Sequence, residues 1–286
     1  MSEPLSVSAL QRLTGLEPFP QPGLIPTRQP IILMHGFGLG ASFRRGGHLH
    51  EQAMHLRSQG VRAVAPNVSP YNTVQARTAQ WNDRLTRILE NTRSDRLSLV
   101  CHSMGGLDAR FLIQEMGWHE HVDVLVTIAT PHRGSPIASL ILEQPESVRT
   151  WLTEVADWLG THVLEDGSAN LRQALVELTP EYVEDTFNEQ VPNHPDVAYW
   201  SYGCQAGRGT DIPIDPIFRY FNNYLYEQEG ANDGIVSVRS ARWGTYLGTV
   251  EADHARQVGL SSKLAAPFDA NAFYTSIAKR LADEGF

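Results

Sequence analysis

A chain of 286 residues, 42% hydrophobic and 19% charged, can bury a sizeable core as one large domain or two small ones. Its formal net charge of −9, with no stripe of Lys and Arg, argues against a nucleic-acid partner. Two cysteines, Cys101 and Cys204, are too few for a disulfide framework, and Cys101 ends an apolar run, where a free thiol packs as a small hydrophobe.

The first thirty residues carry no basic n-region and no long apolar h-region, only a short amphipathic piece around Leu10, Leu13 and Leu16. No apolar run approaches the roughly 18 residues of a membrane span. A cytoplasmic location without a stable membrane span is the expectation, with signal-independent export left open. After a proline-rich leader come apolar strand signals at Ile31 to Met34, at "VRAVAPN" from Val61, at Leu97 to Val100 and at "VDVLVTIAT" from Val122. Helical patterns fall between the first three, around Leu49, Ala53 and Leu56 and through Trp81, Leu85 and Ile88. Further strands are expected at "DVAYWSYG" and "TYLGTVEA". Alternation of this kind predicts an α/β fold, a mostly parallel sheet with helices on both faces.

The rhythm changes after Ser135. "ESVRTWLTEVADWLG" sets Val148, Trp151, Leu152, Val155, Trp158 and Leu159 on one helical stripe, and Thr179-Pro180 reads as a capped helix start. Such a stripe suits either core packing or a movable cover. The expectation is one domain over residues 1–286, with a helical excursion over about 136–228.

The chemistry concentrates at "RLSLVCHSMGGLDARFLIQEMG". A strand through Val100 meets a helix through Leu107, Phe111 and Leu112, with Ser103 on the corner and Gly117 at the helix end. A nucleophile on so tight a turn needs small residues two places before and after it, the G-x-S-x-G pattern, and here Cys101 and Gly105 take those places. Gly105 and Gly106 each cost roughly 0.5–1 kcal/mol against Ala in a helix, which argues for a steric demand. Acyl transfer also needs two backbone donors for an oxyanion. Met104 N–H follows the nucleophile, and Phe37 N–H in "LMHGFGLG" is the second candidate. A base and its orienting acid should follow in the order Ser, acid, His. Asp233, in an Asn-Asp-Gly turn, and His254, after a strand end, fit that order. His254 would take the Ser103 proton and Asp233 would fix the imidazole tautomer.

With these residues in view, the chain resembles the bacterial true lipases of the Pseudomonas and Proteus type, within the α/β-hydrolase superfamily. "HSMGG", "TIATPHRGSPIA", "LVELTPEYVEDTFN" with "VAYWSYG", and "NDGIVSV" carry the resemblance, from "IILMHGFG" to "DHARQVGL". It implies an α/β-hydrolase fold and a carboxylester hydrolase, with a helical lid within about Leu140 to Leu164. Ser103, Asp233 and His254 match the family's triad positions, and Phe37 and Met104 its oxyanion donors. His132 and Arg133 match a motif near the lid's root and are given a structural role. Family members hold a structural calcium. Asp215 matches one of its carboxylates, but Arg256 stands where the second acid belongs. A guanidinium repels a hard cation, so Arg256 is expected to replace the metal by pairing with Asp215.

The resulting expectation is a triacylglycerol lipase that cleaves lipid esters at a lipid–water interface through an acyl-enzyme, with no cofactor. An intracellular carboxylesterase or polyester depolymerase, an acyltransferase, and a catalytically silent binding protein of the same fold remain as alternatives.

Overall fold

A computed structural model describes residues 23–37, 47, 49–143, 168–260 and 268–286. Six parallel strands form one sheet: β1 (Ile31–Met34), β2 (Ala63–Val64), β3 (Leu97–His102), β4 (Val122–Ile128), β5 (Ala198–Cys204) and β6 (Thr245–Val250), in the order β2-β1-β3-β4-β5-β6. Every residue of β1 and β3 is buried, as strands covered on both faces must be. Successive side chains alternate between two cores. Ile31 and Leu33 pack with Leu56 of α1 (His50–Ser58) and with Ile277 and Leu281 of the C-terminal helix Ala270–Asp283. Ile32 and Met34 pack on the opposite face with Trp81 and Leu85 of α2 (Val74–Thr92) and Leu112 of α3 (Gly105–Glu115). Each fully buried Leu or Ile contributes about 1.5–3 kcal/mol, so the two-sided pattern stabilises this sheet order strongly.

Local signals set the boundaries. Thr73 Oγ1 accepts the Ala76 N–H to open α2, and Arg93 in the left-handed region closes it. The second strand is shorter than its sequence run, because at the sheet edge only Ala63 and Val64 find partners in β1. Cys101 and Cys204 are buried free thiols in opposite cores. Among the described residues no helix is long and apolar enough to cross a membrane.

The expected excursion over 136–228 is interrupted, since β5 lies within it and pairs with β4. Before the interruption stand α4 (Pro136–Glu143), α5 (Ser168–Val176) and a helical stretch that passes through a π-turn at Val183–Phe187, and after it the helix Arg219–Glu229. The tryptophan stripe over 148–159 and the amphipathic piece at Leu10 to Leu16 lie outside the described residues. From β1 the chain turns to β2 on one side, while β3 lies on the other. The crevice at the carboxyl ends of β1 and β3 is therefore the switch point where ligands bind in open α/β sheets. His35–Phe37 and Ser103 emerge there.

Candidate active site

Ser103 sits between β3 and α3 with φ of 55°. A non-glycine residue in that region costs about 1–2 kcal/mol, and here the surroundings impose it. Ser103 N–H donates to Ile128 O at 2.9 Å, and Ser103 O accepts from Thr130 Oγ1 at 2.7 Å and from Gly106 N–H at 3.0 Å. The glycines are required by contact. A Cβ on Gly105 would lie 2.7 Å from His35 O, and one on Gly106 2.2 Å from Thr130 Oγ1. A Cβ on Gly36 would lie 2.6 Å from Ser103 Cβ and 2.9 Å from Met104 N. The loop after β1 therefore rests directly on the Ser103 turn, bringing Phe37 to the side of Met104. Among the described residues neither the Met104 N–H nor the Phe37 N–H has a hydrogen-bond partner. Met104 is fully buried, and an unpaired buried N–H is costly; an oxyanion would satisfy it.

Ser103, His254 and Asp233 come together from three separated parts of the chain. Ser103 Oγ lies 3.0 Å from His254 Nε2, and His254 Nδ1 lies 2.7 Å from Asp233 Oδ2. A carboxylate only accepts, so Nδ1 carries the proton and Nε2 is left to accept from the hydroxyl. Asp233 Oδ1 accepts the N–H groups of Ile235 and Val236 at 3.0 and 2.8 Å, and Oδ2 also accepts Gln257 Nε2 at 2.7 Å. Four donors hold this fully buried carboxylate in one orientation. The backbone joins in, with His254 N–H donating to Asp233 O at 3.0 Å.

Behind the β1 loop lies an ion pair that sequence reasoning did not single out. Arg77 of α2 donates from Nε to Asp108 Oδ2 of α3 at 2.9 Å, from Nη2 to His35 O at 2.7 Å and from Nη1 to Ser69 O at 2.8 Å. Trp81 Nε1 adds a further donor to Asp108 at 3.0 Å. Both side chains are fully buried, and burial raises the Asp108 pKa against the opposing pull of Arg77. The pair fixes the carbonyl of the residue just before Gly36. His35 itself accepts the Val68 N–H on Nε2, which leaves Nδ1–H for Gly36 O.

His132 and Arg133 are scaffold. His132 Nε2 lies 3.0 Å from Thr127 Oγ1, whose hydroxyl donates to Trp200 O, and the ring stacks on Trp243. Arg133 donates to Arg239 O and Arg242 O at the end of the helix Val238–Ala241. Arg110 of α3 lies 3.9 Å over Trp243 and donates to Asn188 Oδ1 and Val191 O; burial lowers its guanidinium to about 9.

The expected direct link between Arg256 and Asp215 takes a different route. Arg256 Nε donates to Asp253 Oδ2 at 2.8 Å, and its Nη2 to Pro213 O at 2.6 Å. The Asp215 N–H donates to the same Asp253 oxygen at 3.1 Å. Asp253 is the carboxylate that joins the two loops, and the i,i+3 spacing from Asp253 to Arg256 was the signal in the sequence that could have found it. These donors do not fit calcium, because the buried guanidinium already supplies the cation at that carboxylate. Among the described residues no group of three or more His, Cys, Asp or Glu could hold a metal ion.

A family model described as palmitoyl protein thioesterase matches residues 30–170. Triacylglycerol lipase 2 of Saccharomyces cerevisiae is 30% identical over 224 residues, 73% of this chain and 61% of that protein. The chain thus spans about three fifths of that relative's length. A Vibrio cholerae triacylglycerol lipase is 26% identical over 85% of this chain and 82% of its own. The crystal structure of a metagenomic carboxyl esterase superposes with a TM-score of 0.72 at 20% identity, covering 94% of this chain and 79% of that one. Strand order, the strained turn at Ser103 and structural neighbours together identify the chain as a protein of the α/β-hydrolase fold.

Proposed function

We propose that the protein is a serine carboxylester hydrolase, most closely a triacylglycerol lipase of the Pseudomonas and Proteus type. The observation that carries this reading is the unbroken hydrogen-bond path from Ser103 Oγ through His254 to Asp233. His254 Nε2 takes the Ser103 proton as Oγ attacks the ester carbonyl. The Phe37 and Met104 N–H groups receive the oxyanion, and Asp233 stabilises the imidazolium. The proton passes to the leaving alcohol, and water then enters by the same base to release the acid. Glycerides are the favoured esters because relatives named as triacylglycerol lipases align over most of this chain.

A second reading, acyl thioesters, is favoured by the thioesterase family model. The same nucleophile and oxyanion donors serve both carbonyls. Wild-type protein should be labelled by a fluorophosphonate, and Ser103→Ala should lose the label; an unlabelled wild type would instead mean a silent hydrolase fold. Rates on emulsified triglyceride, soluble tributyrin and a palmitoyl thioester then rank lipase, esterase and thioesterase.

A further inference from the structure

We infer that Gln257 is a positioning residue for the triad, holding the same Asp233 oxygen that His254 binds and being held in turn by His102. The inference rests on the hydrolase reading. Gln257 is fully buried, and its amide nitrogen faces two atoms that can only accept, Asp233 Oδ2 at 2.7 Å and Ala252 O at 3.4 Å. Turning the amide over would set its oxygen against a carboxylate and a carbonyl, so the orientation is fixed. Gln257 Oε1 then faces His102 Nε2 at 3.0 Å, and an amide oxygen requires a donor there. His102 is therefore protonated on Nε2. Its ring also lies 4.6 Å from the His254 ring, at 44°. One side chain thus connects the residue before the nucleophile to the acid that orients the base.

The energetic consequence concerns Asp233 Oδ2, which is shared by His254 Nδ1–H and Gln257 Nε2–H. A second donor withdraws negative charge from that oxygen and so weakens its stabilisation of the imidazolium. Removing the amide leaves the oxygen more basic and lets the carboxylate rotate. The other groups facing this cluster are the Cys204 thiol, pushed up by burial, and the Asp253–Arg256 pair. Arg256 does not serve as a donor to Asp233 Oδ2, its Nε and Nη2 being committed to Asp253 and Pro213.

The test is the pH dependence of kcat/KM for Gln257→Met, a variant of similar length with no donor. Loss of a hydrogen bond to a charged group predicts a fall in kcat of about tenfold with KM unchanged. It also predicts an acidic limb displaced upward by about half a pH unit. A purely structural role would lower activity without moving the limb. His102→Phe keeps the ring against His254 but frees Gln257 Oε1, and should give a smaller displacement in the same direction. If Gln257→Met does not fold, that second variant decides. A folded variant whose limb stays in place, or moves to lower pH, overturns the inference. The His254 ring titration, followed by NMR in wild type and variant, reads the same displacement without turnover. An inactive, unlabelled wild type would therefore sink the hydrolase reading while leaving this one still decidable.

Discussion

The nucleophile side of the site and the base side each rest on a buried ion pair, and the two pairs differ in kind. Arg77–Asp108 joins two helices across 31 residues of sequence, and its arginine reaches on to the loop that carries Phe37. Asp253–Arg256 spans three residues within one loop and passes its grip to Asp215 and Pro213. The first pair sets a backbone shape that sterics already constrain through Gly36, Gly105 and Ser103. The second anchors a loop that also packs Ala255 and Val258 into apolar clusters. The Ser103 wall is thus constrained by backbone sterics as well as by charge, while the His254 wall has apolar packing and polar contacts but no comparable steric lock.

The largest effect should come from Asp108→Ala. It strands the buried Arg77 guanidinium, and breaking a buried pair in this way costs about 3–5 kcal/mol. Urea unfolding should show that deficit; a loss below about 1 kcal/mol would mean that the helices hold the β1 loop unaided. Next comes Gly36→Ala, whose added carbon meets Ser103 Cβ at 2.6 Å. Displacing one oxyanion donor should lower kcat by roughly a hundredfold, and the fall should exceed any change in thermal midpoint. Smallest is Arg256→Met, at roughly 2 kcal/mol near pH 8. Here the stranded partner is Asp253, whose pKa burial already raises above that of an unfolded aspartate. The native state takes up that proton first as pH falls, so the deficit is greatest at alkaline pH and shrinks as acid neutralises Asp253. A deficit that grew in acid would contradict the assignment of Asp253 as the carboxylate of the tether.

What the sequence made legible follows from this division. The strands and helices that enclose the site were readable because burial on both faces leaves continuous apolar runs. Ser103 was readable because a steric corner needs Gly105 and Gly106 beside it in the chain. Asp233 and His254 were readable from order and turn chemistry, and the structure brings them within hydrogen-bond range. Arg77, Asp108 and Gln257 were not readable. Nothing in a linear pattern marks a charge as buried when its partner is 31 residues away, or an amide as turned towards a carboxylate 24 residues upstream. Asp253 was overlooked in favour of Asp215, although a spacing of three from Arg256 was in plain view. The π-turn at Val183–Phe187 left no sign in an otherwise ordinary helical pattern.

The span from Leu178 to Val191 is pinned at both ends. Leu178 O accepts the Ser135 N–H at 2.8 Å, a Cβ on Gly134 would strike Pro180 N at 2.4 Å, and Arg110 grips Asn188 and Val191 O. Ser103 is only 6% exposed, so a bulky ester needs some wall to yield. That span is an abutment and not a door: swinging it would unseat a buried guanidinium from α3, immediately behind the nucleophile. A bulky ester would therefore have to reach Ser103 elsewhere along the rim, with the turn at Ser103 left undisturbed.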